Sequence, residues 1–270
     1  MPSIALKLVA IITMFIDHLA AGLGDNASPV ITGEAYSVMR GIGRTAFPLF
    51  CFMITEGFIH TRSRLKYFKR LAIFCLVSEF PFDYIFNWYY GPEYMLTSSQ
   101  NVFFTLTIGL AMLIINDYIS RETAGRGRNQ ALIGALLQLG ILAGMGTLAD
   151  LLSTDYGADG VLLIAMIWYI GQFGKTVAGK GAPEPYSERM RFAYSAAAIA
   201  LWFIFFDIKN GGYLTESYGF LSVLFVLLYN GKKGPKILPR GFFYVFYPAH
   251  LFIIGMIEHM IIDGALFTVY

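Results

Sequence analysis

Residues 6–18 read Leu-Lys-Leu-Val-Ala-Ile-Ile-Thr-Met-Phe-Ile-Asp-His, an apolar run that contains one lysine and ends on an acid and an imidazole. The apolar character continues to Leu23, so residues 4–24 are long enough to cross a hydrocarbon core of about 30 Å as an α-helix. A charged side chain at the centre of a bilayer costs roughly 2.5–3.5 kcal/mol and usually faces protein or an aqueous cavity. The stretch therefore predicts a membrane helix with one polar side.

The rest of the chain has the same character. Its 270 residues are 56% hydrophobic, 16% aromatic and only 14% charged, whereas about a quarter of the residues of a soluble domain are charged. We predict an all-α polytopic membrane protein that forms a single transmembrane domain over residues 1–270. About nine transmembrane helices are expected, at residues 4–24, 36–60, 69–90, 101–119, 131–149, 158–173, 192–207, 217–229 and 241–262. Two of these, 158–173 and 217–229, are short for a full span.

The basic residues predict the orientation. All but three of the 20 Lys and Arg residues fall at the start of the chain or in alternate loops, the exceptions being Arg40, Arg44 and Lys209. Because cytoplasmic loops are enriched in Lys and Arg, we place the N terminus in the cytoplasm and the C terminus outside. The expected location is the inner (cytoplasmic) membrane of a bacterium.

Several other kinds of site are disfavoured. Cys51 and Cys75 fall in apolar segments, where a free cysteine behaves as a small hydrophobe, so we expect neither a disulfide nor a metal site. The first segment contains an Asp-His pair and precedes further spans, so we interpret it as an uncleaved helix rather than a signal peptide. The glycines at 41 and 43 resemble a dinucleotide-binding loop but follow no strand.

Ionisable residues recur in the first three predicted spans, as Asp17-His18, Arg40 with Arg44, and Glu79 with Asp83. At 1.5 Å per residue, His18 lies roughly 21 Å above the cytoplasmic edge and Arg44 roughly 12 Å below the outer edge. These groups could therefore meet in the outer half of the membrane. Arg40 and Arg44 share a helix face because they are four residues apart, as do Glu79 and Asp83.

One interpretation of these charges is a set of buried ion pairs that fasten the helices together. The carboxylates inside the spans outnumber the two arginines, however, and this excess favours a water-accessible cavity. The carboxylates are Asp17, Glu56, Glu79, Asp83 and Glu258.

Two histidines are candidates for chemistry. His18 can act as base, acid or nucleophile near neutral pH. Its neighbour Asp17 points about 100° away on a helix and can pair with an arginine instead. His250 lies in the last span after Tyr247 and Pro248, which suggest a kinked helix and a pocket, although a polar packing role is equally possible. Asn101 suits a helix cap as well as a site.

A basic segment precedes the third span. Arg62, Arg64 and Lys66 could hold anionic phosphates, although the bias of basic residues towards cytoplasmic loops also explains them.

At the level of motifs the chain resembles the TraX family of membrane proteins, named for a conjugation protein linked to N-terminal acetylation of pilin. The matching blocks cover almost the whole chain except loops and the fifth to seventh helices. They are residues 6–18, 40–50 (Arg-Gly-Ile-Gly-Arg-Thr-Ala-Phe-Pro-Leu-Phe), 56–58, 61–64, 78–83 (Ser-Glu-Phe-Pro-Phe-Asp), 100–105, 218–222, 229–234 (Tyr-Asn-Gly-Lys-Lys-Gly) and 243–250 (Phe-Tyr-Val-Phe-Tyr-Pro-Ala-His).

This resemblance implies an acetyltransferase that uses acetyl-CoA as donor. On that hypothesis Arg62, Arg64 and Lys66 hold the CoA phosphates, and His18 is the general base or carries the acetyl group. Arg40 or Arg44 binds the acceptor or stabilises the oxyanion. Asp17 and His250 are counted in the catalytic group with these residues. The residues expected to bind substrate are Glu79, Asp83, Asn101, Glu56 and Tyr247.

We expect membrane lipid, acetyl-CoA and an acceptor peptide or glycan as partners, and no nucleic acid. Two other classes remain open on the sequence. A transporter or channel would use the same buried charges as a substrate or proton path. A structural partner in pilus or envelope assembly would use them to lock helices together.

Overall fold

A computed structural model of the protein describes residues 1–24, 30–88, 98–179, 181–210, 218–239 and 241–262. These residues form α-helices and short connections, with no strand among them and one isolated bridge between Gln100 and Thr154. The predicted all-α class is confirmed. The helices are α1 (Ser3–Gly24), α2 (Gly33–Gly43), α3 (Ala46–His60), α4 (Arg64–Phe86), α5 (Val102–Thr123), α6 (Arg128–Leu151), α7 (Gly157–Val177), α8 (Glu184–Asn210), α9 (Leu221–Leu227, after a 3-10 turn at Tyr218–Phe220) and α10 (Phe242–Ile262).

Seven helical segments in the described part are long and apolar enough to cross a membrane. They are α1, α2 with α3 taken as one, α5, α6, α7, α8 and α10. Each of the nine predicted segments coincides with helix, but α4 carries too many charges to meet the same criterion and the Tyr218–Leu227 helix has only ten residues. A ten-residue helix rises about 15 Å, half of the hydrocarbon core. The count of nine spans thus stays a prediction.

The second predicted span is broken. Helix α2 ends at Gly43 and α3 begins at Ala46, with Arg44 and Thr45 in a turn between them. Pro48 lies in the first turn of α3, where its missing N–H is tolerated, but its ring crowds the carbonyl four residues earlier, which is that of Arg44. The proline therefore favours a break at Arg44.

The helices that matter for the site are α1, α4 and α10. Helix α1 packs against α2, α3 and α10, and α4 packs against α5 and α10. At Gly22 of α1 the approach is so close that a Cβ atom would lie 2.7 Å from Ile85 of α4 and 2.7 Å from Ile254 of α10. The three helices therefore converge at this level, which brings their polar residues together.

The connections gather at two ends of the bundle. We call the "basic end" the one formed by the start of α1, residues 61–63, 124–127 and 228–239, and the α7–α8 connection; the "acidic end" is formed by residues 98–101, 152–156 and the α2–α3 turn. Contacts tie each end together: Ser3 N–H donates to the Lys232 carbonyl at 2.7 Å, and Gln100 N–H to the Ser153 carbonyl at 2.9 Å. The start of α1 therefore lies beside residues 228–239, and residues 98–101 lie beside the α6–α7 connection.

Candidate functional site

The centre of the site is a hydrogen bond between two histidines on different helices. His18 Nδ1 of α1 lies 2.7 Å from His250 Nε2 of α10. The two imidazole rings are within 4° of parallel and their centroids are 4.9 Å apart. With nitrogens so close and centroids so far apart, the rings lie nearly edge to edge in one plane. This is the geometry of a directed N–H···N hydrogen bond.

The second nitrogen of His250 determines the direction of that bond. His250 Nδ1 lies 2.7 Å from the Phe246 backbone carbonyl, which can only accept, so Nδ1 carries the proton. In a neutral imidazole the other nitrogen then accepts, so His250 Nε2 accepts from the N–H at His18 Nδ1. In neutral His18 the lone pair is consequently left on Nε2. The chain of bonds makes His18 Nε2 the basic atom of the pair.

Aromatic rings surround the pair. Tyr247 lies with its ring centroid 5.7 Å from that of His18 and 5.7 Å from that of His250. Phe86 of α4 meets His18 at 6.1 Å, and Phe15 meets His250 at 6.0 Å, both edge-on. The walls of the site are therefore largely apolar, which restricts water and strengthens any polar interaction made inside it.

Asp17 pairs with an arginine, as the helical geometry predicted. Its Oδ1 lies 3.0 Å from Arg40 Nη1 of α2, and both side chains are mostly buried. Helix α2 reaches this position because Gly43 leaves room for the Asp17 side chain: a Cβ atom at Gly43 would collide with the Cβ and Oδ1 of Asp17. The pair thus holds Arg40 against Asp17, the residue that precedes His18 in the sequence.

Arg44 borders an open cavity of about 350 Å³ at the acidic end. The lining is mainly acidic and aromatic, and consists of Arg44, Asp150, Asp155, Tyr156, Gly157, Asp159 and Phe206. Two of the acids have partners, since Asp150 Oδ1 accepts from Ala158 N–H at 2.7 Å and Asp159 Oδ2 lies 2.6 Å from Lys209 Nζ. The cavity is a candidate entrance for a polar substrate.

Asp155 joins this group from the α6–α7 connection. Desolvation by the surrounding protein raises the pKa of its carboxyl to about 6; the Arg44 guanidinium opposes this rise, Asp17 adds to it, and Arg40 opposes it. Asp155 is therefore within electrostatic range of Asp17, Arg40 and Arg44. Asp155 was not selected from the sequence, because a loop position gives no sign of proximity to residues more than 100 positions earlier.

Glu79 and Asn101 form a second polar contact beside the histidines. Glu79 Oε2 accepts from the Asn101 backbone N–H at 3.3 Å and from Asn101 Nδ2, while Asn101 Oδ1 caps α5 by accepting from Phe103 N–H at 3.0 Å. Asn101 is thus both a cap and a site residue. Tyr247 lies between the two contacts, because its ring also meets that of Phe103 edge-on, with the centroids 4.9 Å apart.

Asp83 lies one turn further along α4. Its Oδ1 accepts from Asn87 Nδ2 at 2.7 Å, and the side chain is buried. Asp83 is therefore positioned within α4, on the same helix as Glu79, and its bond to Asn87 is local.

Glu56 lies elsewhere, in a buried ion-pair network towards the basic end. It contacts Arg191 Nη1 of α8, whose side chain is 3% exposed, and Arg191 Nη2 also lies 2.5 Å from Glu188 Oε2. His60 Nε2 lies 3.7 Å from Glu56. The Arg191 partner was not anticipated, because a basic residue near the start of a span resembles the topological bias of cytoplasmic loops.

The predicted phosphate ligands differ in their surroundings. Arg64 contacts Asp117 of α5, which also lies 2.7 Å from Arg121 Nε, and its guanidinium lies 4.1 Å from the centroid of the Phe58 ring. Arg62 and Lys66 are exposed. In the residues that the structure describes, no three His, Cys, Asp or Glu side chains are placed to hold a metal ion.

Comparison with known proteins finds a family model and a named relative that both match nearly the whole chain. The family model described as "TraX protein" matches residues 3–258. A protein of Dichelobacter nodosus named "Probable fimbrial assembly protein FimC, serogroup H1" is 28% identical over 258 residues, which cover 91% of each chain. No solved structure matches the chain.

Proposed function

This chain belongs to the TraX family, and from that membership and the His18–His250 pair we propose an integral-membrane acetyltransferase that uses acetyl-CoA. The observation that carries the proposal is the direction of the hydrogen bonds, which leaves a lone pair on His18 Nε2. A base held in one tautomer by a second group is the arrangement on which general base catalysis depends. The acceptor is an amine or a hydroxyl.

In the proposed reaction His18 Nε2 removes the proton of the acceptor as its nitrogen or oxygen attacks the thioester carbonyl. The carbonyl oxygen becomes an oxyanion, which the guanidinium of Arg40 or Arg44 stabilises. When the tetrahedral intermediate collapses, the carbon–sulfur bond breaks and the CoA thiolate leaves. The proton on His18 returns to that sulfur, so the free enzyme is regenerated and the products are CoA and an acetylated acceptor.

His250 gives the positive charge of protonated His18 a second place to reside. While His18 holds the additional proton on Nε2, the proton on Nδ1 can shift along the 2.7 Å bond to His250 Nε2. The positive charge is then shared between two rings, and His250 Nδ1 keeps its bond to the Phe246 carbonyl. Sharing the charge lowers the cost of forming an imidazolium ion in an apolar site.

The geometry of the two ends supports transfer across the membrane. The basic end is expected to face the cytoplasm, where acetyl-CoA is available, and the cavity beside Arg44 opens at the other end. The name of the Dichelobacter nodosus relative refers to fimbrial assembly. We therefore propose an acceptor outside the cytoplasmic membrane, such as the N terminus of a pilin-like peptide or a hydroxyl of an envelope glycan.

The test is release of free CoA thiol by the purified protein when acetyl-CoA is mixed with peptide amines and glycan hydroxyls. The His18→Ala change removes the base, so we expect kcat to fall by about 10²- to 10⁴-fold. His60→Ala is the matched control, because His60 is exposed at the end of α3 and lies outside the site; it is expected to keep full activity.

Two results contradict the proposal. A His18→Ala protein that is folded, binds acetyl-CoA and transfers acetyl at the normal rate removes the base from the mechanism. Substrate movement that depends on an ion gradient, with no thiol released by the wild type under any acceptor, favours the transporter class instead.

A further inference from the structure

Several cations at the basic end already have carboxylate partners. Arg64 and Arg121 share Asp117, and Arg126 Nη2 lies 2.9 Å from Glu122. At the α7–α8 connection, Lys175 and Arg191 both contact Glu188. These cations are largely neutralised within the fold, which leaves them less able to bind an external anion.

Lys7 and Arg70 differ. Within the described part of the chain neither forms an ion pair with a carboxylate. Each instead lies over aromatic rings of α10: Lys7 Nζ is 5.3 Å from the centroid of Phe243, and the Arg70 guanidinium is 5.6 Å from that of Tyr244. Cation–π contacts leave the N–H donors of a cation available to a ligand.

Lys7 lies on the same helix as His18, and the two rings that Lys7 and Arg70 contact lie on the helix of His250. Lys7 precedes His18 by eleven residues on α1, about 16 Å of helical rise and within about 20° of the same face. Phe243 precedes His250 by seven residues on α10, about 10 Å and again nearly the same face. The long Lys7 side chain spans the difference between these two rises. The Lys7–Phe243 contact and the histidine pair therefore lie along the same line of contact between α1 and α10.

Two more lysines are held beside them. The N–H groups of Ser3 and Ile4 donate to the carbonyls of Lys232 and Lys233 at 2.7 and 3.2 Å. Both lysines are exposed and lie next to the first turn of α1. The backbone of both lysines therefore lies beside the start of α1, the helix that carries Lys7.

We infer that Lys7 and Arg70, assisted by Lys232 and Lys233, bind the phosphate groups of the nucleotide end of an acyl-CoA donor. The inference rests on the proposed function. It assigns the donor a position directly below His18, from which an extended pantetheine arm runs along α1 and α10 towards the histidines. It also moves the phosphate site away from Arg64, whose charge is committed to Asp117.

The test is direct binding by the purified full-length protein in detergent, measured by calorimetry with two probes, CoA and pantetheine. Lys7→Gln and Arg70→Gln each remove one charge-assisted hydrogen bond, so each is expected to weaken CoA binding about tenfold. Neither change should alter pantetheine binding, because that probe lacks the nucleotide. Lys7→Arg is expected to restore CoA binding.

Arg126→Gln is the matched control, since Arg126 lies at the same end but pairs with Glu122; it should change CoA affinity by less than about twofold. The inference is overturned if folded Lys7→Gln and Arg70→Gln proteins bind CoA as the wild type does, or if Arg126→Gln weakens binding equally. If the wild type itself binds neither probe, the proposed function fails and not only the placement of its donor.

Discussion

At the scale of single residues, the two histidines act as one unit because a backbone carbonyl determines their protonation. The Phe246 carbonyl accepts from His250 Nδ1, His250 Nε2 accepts from His18, and the lone pair of the pair ends on His18 Nε2. The residue that decides the chemistry of His18 thus lies 232 positions away in the chain. Removing His250 should disturb the base without removing it.

Two substitutions of His250 separate orientation from proton sharing. In His250→Gln the amide oxygen can still accept from His18 Nδ1 but takes up no proton, so we expect kcat to fall by about tenfold. His250→Leu removes the acceptor as well, and we expect a loss of about 10²- to 10³-fold. The KM for acetyl-CoA should change little in both, as measured by thiol release.

His259→Gln on the same helix serves as the control, because His259 contacts the Tyr84 carbonyl at 3.1 Å and not the pair. Equal activities for the Gln and Leu variants at position 250 would refute the tautomer argument.

The sequence predicted part of this site. Buried charges in short apolar segments are conspicuous, so His18, Arg40, Arg44 and Glu79 could be selected as a group and Asp17 could be expected to pair with an arginine. The specific pairing of His18 with His250 could not, since a hydrogen bond between distant helices leaves no pattern in the chain. Asp155 was missed for the same reason.

At the scale of elements, the α2–α3 break brings an arginine to each side of the site. Arg40 remains on α2 and pairs with Asp17, while Arg44 lies in the turn and borders the cavity. The approach of α2 to α1 depends on Gly43, because any side chain there meets Asp17. The Asp17–Arg40 pair is therefore sensitive to one methyl group.

Gly43→Ala is expected to destabilise the protein by about 1–3 kcal/mol, since the added Cβ forces α1 and α2 apart. Gly140→Ala in α6 is the matched control. A Cβ atom at Gly140 meets nothing within 4 Å, and alanine favours a helix by up to about 1 kcal/mol over glycine. Thermal unfolding in detergent measures both, and equal melting temperatures for the two variants would contradict the close packing.

The helices were easier to predict than their limits. Every predicted span coincides with helix because twenty apolar residues in lipid have few alternatives. The predicted segment 158–173 is shorter than the helix in the structure, α7 (Gly157–Val177). The prediction ended early because the last turn contains Gly174 and Lys175 and is no longer apolar, although it is still helical. The α2–α3 break was missed, although Pro48 marks it, since the apolar pattern runs through it without interruption.

At the scale of the whole molecule, the two ends of the bundle differ in charge. Lys7 and Arg70 lie over aromatic rings near the basic end, and three aspartates line the cavity at the other end. The candidate base lies between them. This polarity makes orientation in the membrane a requirement of the proposed mechanism.

The orientation can be measured with single cysteines in a protein whose buried Cys51 and Cys75 are replaced by alanine. We expect Ser153→Cys, in the α6–α7 connection, to react with a membrane-impermeant maleimide in intact cells. Arg126→Cys, in the α5–α6 connection, should react only after the membrane is opened. The reverse labelling would place acetyl-CoA on the wrong side and invalidate the proposed path.

Within the described part of the chain, the hydrogen bonds of the histidine pair end at the Phe246 carbonyl. Its carbonyl accepts from His250 but has no proton to pass on, so a proton that arrives at His18 Nε2 must leave by the same atom. Such a base exchanges protons with its substrate but does not conduct them through the protein. It is therefore compatible with a membrane that maintains a proton gradient. The two histidines can exchange protons with a substrate for many turnovers without dissipating the proton gradient.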